Sequence, residues 1–153
     1  MGHSFGAAAA AEAMRRDPRF AAGINLDGSF FGAVLDAGLN RPFLLMGHEN
    51  KTRATDPSWE AVWARLTGWK REVEVRGSKH YGFSDLPRVL QVLGLGEELS
   101  GEVGEVLGTV EGGRMMGIVV TYAVAFLDMV FKGGEGEVFD GRDGRFPEVV
   151  IAE

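Results

Sequence analysis

Short apolar runs that alternate with helix-forming segments constrain the fold of this chain most strongly. Residues 21–26 and 42–46 are brief apolar runs, each followed closely by a glycine, and residues 71–76 alternate charged and apolar side chains. Runs of this kind are typical of buried parallel strands and of a strand with one drier face. Alanine-rich residues 6–16 and residues 58–66 predict helices around them. The alternation predicts an α/β fold with a parallel sheet flanked by helices.

The C-terminal third predicts a different organisation. Residues 94–113 are rich in glycine and glutamate and predict a loop with short helical pieces, and residues 114–132 predict a final helix before a turn-rich tail that ends in a short apolar run. The longest apolar stretch, residues 115–131, includes Thr121 and Asp128 and is shorter than the ~20 residues that a membrane span needs. We therefore predict a buried helix there and no transmembrane segment.

Composition excludes several classes of function. The formal net charge of −6 argues against nucleic-acid binding through a basic surface. The chain has no cysteine, which excludes disulfides, thiolate metal sites and cysteine catalysis. The first residues lack the basic start and apolar core of a signal peptide, and the sequence assigns no compartment to the protein.

The first residues, Gly2-His3-Ser4-Phe5-Gly6, have the spacing G-x-S-x-G of a nucleophile elbow. In such an elbow a tight turn lifts the serine above the sheet, and glycines on both sides relieve crowding. The predicted helix follows at once, so its N-terminus would face a developing oxyanion, and the backbone N–H of Phe5 would donate to it. A glycine-rich turn with Ser4 as a helix N-cap is the structural alternative.

A serine nucleophile needs a histidine base, and the chain contains three histidines. His80 lies in the loop after the strand predicted at 71–76, where the histidine of an α/β-hydrolase belongs, and we predict that it is the base. His3 is adjacent to Ser4 and does not approach it from another loop. His48 begins a His-Glu pair, but Thr52 stands where a second histidine would complete the zinc motif HExxH.

Two acidic residues are candidates for the third catalytic position. Asp27 ends the first predicted strand and Glu49 follows the second, so both are expected at the ligand-facing edge of the sheet. Asp27 could instead belong to an Asp-Gly turn, and Glu49 could be a solvated charge. Residue patterns alone leave both acids open.

Four segments together resemble the catalytic half of the platelet-activating factor acetylhydrolase-like α/β-hydrolases: GHSFG, GINLDGSFFG, PFLLMGHEN and GSKHYGFSDLP. The similarity covers roughly residues 2–87, and the final helix fits the C-terminal helix of such proteins more loosely. The resemblance implies that Ser4 is the nucleophile, Asp27 the acid and His80 the base.

The same resemblance implies a serine esterase that acts through an acyl-enzyme on a small ester, or on a short acyl chain of a phospholipid, without a metal or organic cofactor. Cutinase-like polyester hydrolases and lipases share the elbow and commonly place the acid after the later strand. In this chain that alternative would select Glu49.

The chain departs from the family at two points. Ala7 stands where the family often has a second glycine after the elbow, and the N-terminal half of the family's domain is absent. We therefore expect residues 1–153 to form a partial α/β-hydrolase domain that starts at the nucleophile elbow and lacks the N-terminal strands. A catalytically inactive, truncated fragment is the alternative interpretation.

Overall fold

The protein is a mixed β-sheet with helices on both faces. The computed structural model describes residues 1–95, 100–141 and 143–152. The strands lie side by side in chain order, and the first four are parallel while the fifth runs antiparallel to the fourth. Their bounds are Gly2–His3 (β1), Gly23–Leu26 (β2), Phe43–His48 (β3), Lys70–Val75 (β4) and Val149–Ala152 (β5).

Six α-helices and two 3₁₀ turns connect and cover these strands within the described residues. The helices are Phe5–Arg16 (α1), Val34–Ala37 (α2), Pro57–Trp63 (α3), Leu86–Val92 (α4), Ser100–Leu107 (α5) and Gly112–Lys132 (α6). The 3₁₀ turns are His80–Phe83 and Glu137–Asp140.

The central strand β3 separates two hydrophobic cores. Successive strand side chains point to opposite faces, so Leu44 and Met46 pack with α6, whereas Phe43 and Leu45 pack with α1, α2 and α3. All four side chains are fully buried. A strand that is covered on both faces has apolar side chains on both, which is why residues 42–46 show no alternation of apolar and polar residues.

The parallel register brings the carboxyl ends of β1 to β4 to one edge of the sheet. His3 is paired with Leu26, Leu26 with Met46, and Met46 with Val73. Loops that leave these strands therefore start next to one another. This edge holds the residues described below, as expected for the ligand-binding edge of an α/β sheet.

The predicted α/β architecture is confirmed, with two differences in the C-terminal part. The final apolar run adds an antiparallel strand, β5, to a sheet that we expected to be wholly parallel. Residues 100–107 form one short helix within the predicted loop, and the final helix begins at Gly112, two residues before its predicted start. Residues 96–99 of the predicted loop lie outside the described residues.

Helix α6 is less buried than its composition predicts. One face, which includes Met115, Ile118 and Phe126, packs on the sheet, whereas Val120 and Phe131 on the other face are exposed. Among the described residues this is the one helix long and apolar enough to cross a membrane, and the core helix of a soluble protein passes the same test. The prediction of a buried helix is thus wrong for the outward face.

Candidate active site

Ser4 occupies a sharp turn between β1 and α1. Its backbone has φ 56° and ψ −130°, in a region that is strained for any residue with a side chain. The Ser4 N–H donates to the Leu26 carbonyl at 3.0 Å, which ties the turn to the end of β2. A Cβ on Gly2 would lie 2.1 Å from the Gly6 carbonyl oxygen, so the turn requires glycine at this position.

The other glycines of this region have unequal importance. A Cβ on Gly28 would lie 2.1 Å from the Ser4 carbonyl oxygen, because the loop after β2 passes directly beside the turn. Gly6 has open space around the position of a Cβ, so the expectation that glycines on both sides relieve crowding is wrong for Gly6. Ala7 is fully buried, and its small side chain fits against Gly28.

The side chains of Ser4, His80 and Asp27 form a continuous hydrogen-bonded chain. His80 Nε2 lies 3.0 Å from Ser4 Oγ, and His80 Nδ1 lies 2.5 Å from Asp27 Oδ2. The three residues come from the turn before α1, the end of β2 and the 3₁₀ turn after β4. The structure therefore brings together the three residues that the sequence singled out.

The hydrogen bonds define which nitrogen of His80 carries the proton. A carboxylate only accepts hydrogen bonds, so Nδ1 of His80 is the donor to Asp27. In the neutral ring, Nε2 is then an acceptor that faces the Ser4 hydroxyl. This tautomer lets His80 remove a proton from Ser4.

Asp27 is held at the start of the loop that follows β2. Its N–H donates to the Met46 carbonyl at 2.7 Å, and its φ of 59° turns the chain away from the sheet. The side chain of Asn25, in β2, accepts from the N–H of Gly28 and donates to the carbonyl of Gly28, both at 2.7 Å. The Asp27 carboxylate is fully buried, whereas 36% of the His80 side chain is exposed.

His3, the residue before Ser4, contacts the backbone of His80. Its Nε2 donates to the His80 carbonyl at 3.0 Å, and the two ring centroids lie 4.8 Å apart. The ring therefore supports the turn that carries His80. Sequence reasoning gave His3 no role. The feature that could have indicated this contact is the position of His3, directly before Ser4 on β1, the strand beside β2.

The second acidic candidate, Glu49, is not part of the hydrogen-bonded chain. It lies in the turn after β3, partly exposed, and no described histidine bonds its carboxylate. The preceding residue, His48, bonds Asp27 instead: its Nδ1 lies 2.7 Å from Oδ1 and its backbone N–H donates to the same oxygen at 2.8 Å. Sequence reasoning missed this contact, although His48 is the last residue of β3, the strand paired with β2.

A second carboxylate, Asp56, organises the loops beside the site. It caps α3 by accepting from the N–H groups of Ser58 and Trp59, and it also pairs with Lys51 and Ser29. Burial acts to raise the pKa of Asp56, but the hydrogen bonds from Lys51, Ser58 and Ser29 outweigh burial and hold the pKa far below its usual range. This network fixes the loop after Asp27 to α3.

The backbone N–H of Phe5 is placed at the first position of α1, directly after Ser4. No described residue accepts a hydrogen bond from it, as is usual in the first turn of a helix. The group is therefore available to an oxygen atom bound at Ser4. The Phe5 ring is mostly exposed and lies 6.2 Å from the ring of Phe31, centroid to centroid.

The fold and the elbow together define a partial α/β-hydrolase. A ferulic acid esterase from Streptomyces cinnamoneus superposes on 99% of this chain with a TM-score of 0.87 and 37% sequence identity, and the match covers 45% of that esterase. The predicted fold class is confirmed by this similarity.

The chain belongs to the family of platelet-activating factor acetylhydrolase, isoform II, whose sequence profile matches residues 1–136. A probable 1-alkyl-2-acetylglycerophosphocholine esterase from Arthroderma benhamiae is 29% identical over the whole chain, and the match covers 42% of that relative. The chain thus spans less than half the length of both proteins. The predicted family resemblance is confirmed.

Proposed function

We propose that this chain carries the catalytic residues of a serine carboxylic-ester hydrolase. The observation that carries the proposal is the chain of hydrogen bonds from Ser4 through His80 to the buried carboxylate of Asp27. The nucleophile needs a base within hydrogen-bond reach, and the base needs a third group that orients it. Each of these contacts is 3.0 Å or shorter.

The reaction would proceed in two steps through an acyl-enzyme. Ser4 Oγ attacks the ester carbonyl carbon while its proton passes to His80 Nε2. The tetrahedral intermediate then collapses, and His80 returns the proton to the departing alcohol. In the second step His80 activates a water molecule, which releases the carboxylic acid and restores the Ser4 hydroxyl.

Asp27 would stabilise the imidazolium that forms on His80 during both steps. A buried carboxylate exerts a strong field because water does not screen it. The Phe5 N–H would donate to the oxyanion, aided by the N-terminus of α1. A donor of this kind contributes about 3–4 kcal/mol to the barrier reduction when it is well placed.

The substrate that we propose first is an ester with a short acyl chain, either a small soluble ester or the acetyl ester of a glycerophospholipid. The relative named as a probable 1-alkyl-2-acetylglycerophosphocholine esterase supports this class. The second candidate is an ester with an aromatic acyl group, because the solved neighbour is a ferulic acid esterase. Phe5, the residue after Ser4, also has an exposed ring that lies 6.2 Å from the exposed ring of Phe31.

Turnover of p-nitrophenyl acetate tests the reaction class. We expect Ser4→Ala and His80→Ala to lower kcat by on the order of 10⁴-fold or more, because the residues of a triad act as a unit. Unchanged turnover by the Ser4→Ala protein would disprove the nucleophile assignment. Comparison of 1-alkyl-2-acetylglycerophosphocholine with methyl ferulate then decides between the two substrate classes.

A further inference from the structure

A second imidazole, that of His48, binds the same carboxylate as His80. His48 is the last residue of β3, and the pairing of Leu26 with Met46 places the ends of β2 and β3 side by side. The His48 side chain therefore reaches Asp27 directly. All three histidines of the chain lie at this edge of the sheet.

The contacts between His48 and Asp27 use both carboxylate oxygens. His48 Nδ1 lies 2.7 Å from Oδ1 and 2.8 Å from Oδ2, and the backbone N–H of His48 donates to Oδ1 at 2.8 Å. His80 bonds Oδ2 alone. Since a carboxylate only accepts, His48 Nδ1 must carry a proton, so both rings donate to Asp27.

We propose that His48 is a positioning residue of the esterase site, whose side chain holds the Asp27 carboxylate in the orientation that fixes the tautomer of His80. This inference rests on the proposed function for its catalytic consequence. The contact itself is independent of any reaction. A carboxylate on one rotatable bond can turn its plane, and a donor that spans both oxygens opposes that rotation.

The His48 side chain is not needed to join the two strands. The backbone already links them at this point, because Asp27 N–H donates to the Met46 carbonyl and His48 N–H donates to Asp27 Oδ1. These bonds do not involve the imidazole, so they are available to any residue at position 48 except proline, which has no N–H. The imidazole therefore adds a contact to the carboxylate alone, which a purely structural role would not require.

The His48 ring also separates Asp27 from solvent. The ring is 27% exposed, whereas the Asp27 side chain is fully buried. Water that reached the carboxylate would weaken its interaction with the imidazolium of His80. Loss of the ring would therefore act on the rate of the chemical step more than on the binding of substrate.

Two substitutions separate the effect of the hydrogen-bond donor of His48 from the effect of the volume of its ring. In His48→Asn the amide nitrogen stands close to the place of Nδ1 and can donate to Asp27, whereas His48→Leu keeps comparable volume and lacks a donor. We expect His48→Leu to lower kcat about 10- to 100-fold, the range for loss of a hydrogen bond to a charged group. KM should stay within about threefold, and His48→Asn should recover most of the rate, because the donor is restored.

The double variant His48→Leu/Asp27→Asn tests whether His48 acts through Asp27. We expect His48→Leu to have no further effect on kcat once Asp27 is asparagine, because coupled residues are not additive. Glu49→Gln is the matched control at the neighbouring position and should leave kcat and KM unchanged. An equal loss from His48→Leu in both backgrounds would overturn the proposal.

A spectroscopic measurement tests the inference without turnover. Nitrogen-15 NMR of histidine-labelled protein reports the tautomer of each ring. We expect His80 to hold its proton on Nδ1 in the native protein and in His48→Asn, and to show a mixture of tautomers in folded His48→Leu. If His80 stays wholly in the Nδ1–H form in His48→Leu, the proposal is wrong, whether or not the chain hydrolyses esters. Absence of turnover with the expected spectra would instead count against the proposed function alone.

Discussion

Asp27 and Asp56 are two carboxylates with little exposure to solvent, on the loops that leave neighbouring strands at the same edge of the sheet, yet their partners differ. The partners of Asp27 are two imidazoles and one backbone N–H. Asp56 binds a lysine, two serine hydroxyls and the N-terminus of α3. The side chains are 0% and 12% exposed, so burial does not distinguish them.

The difference lies in what each set of partners can do. An imidazole can move a proton at neutral pH, and His80 connects Asp27 to a hydroxyl group. A lysine ammonium and a helix N-terminus hold their charge and only stabilise the anion. We therefore expect changes at Asp27 to alter the reaction and changes at Asp56 to alter the stability of the fold.

Between these two carboxylates, the largest expected effect is that of Asp27→Asn. We expect kcat to fall by on the order of 10³–10⁴-fold, because asparagine favours the wrong tautomer of His80. The same substitution in the triad of a serine protease has an effect of this size. The free energy of unfolding should change little by comparison. Steady-state kinetics with p-nitrophenyl acetate and urea unfolding measure the two quantities.

Glu49→Gln is the control for this substitution, because Glu49 was the other acid left open by the residue pattern. Its kcat should equal that of the native protein. If Glu49→Gln were inactive and Asp27→Asn active, the acid assignment would be reversed.

The second effect in size is that of Asp56→Ala. We expect it to lower the free energy of unfolding by about 2 kcal/mol, because the helix cap and the hydrogen bonds to Ser29 and Lys51 are lost together. The kcat of the folded protein should change far less than in Asp27→Asn. A loss of kcat at Asp56 as large as that at Asp27 would break the comparison.

The smallest effect is the pH dependence of the Asp56 contribution. The partners of Asp56 hold its folded pKa below the ordinary value of 3.8, so the folded state favours the charged form. The resulting stability is present above pH 3.8 and decreases as the pH falls towards the folded pKa. The difference in unfolding free energy between native protein and Asp56→Ala should therefore be smaller at pH 3 than at pH 6. A difference that grows on acidification would contradict this sign.

The fold was largely predictable because its core strands carry strong local signals. The apolar run of β3 and the glycine-bounded run of β2 predicted two adjacent buried strands, and the elbow motif predicted the start of α1. The antiparallel β5 was not predictable in the same way. Its four residues are only partly buried, and their pairing with β4 depends on contacts far apart in the chain.

The part of the candidate site that depends on sequence motifs and on positions after predicted strands was predictable. Ser4, Asp27 and His80 were singled out from a motif, a resemblance and a position after a strand, and the structure places them in contact. The role of His48 depends on the exact register of β2 and β3, which no local pattern encodes. The assignment of Ser4, Asp27 and His80 as a catalytic triad stays a prediction.

The most direct test of the account is labelling of the chain with a fluorophosphonate, followed by mass spectrometry of its peptides. A phosphonate reacts with a serine hydroxyl that a neighbouring base has activated. We predict one phosphonylated site, Ser4, and loss of that label in both Ser4→Ala and His80→Ala. Labelling at a different serine, or equal labelling of the His80→Ala protein at Ser4, would contradict the account.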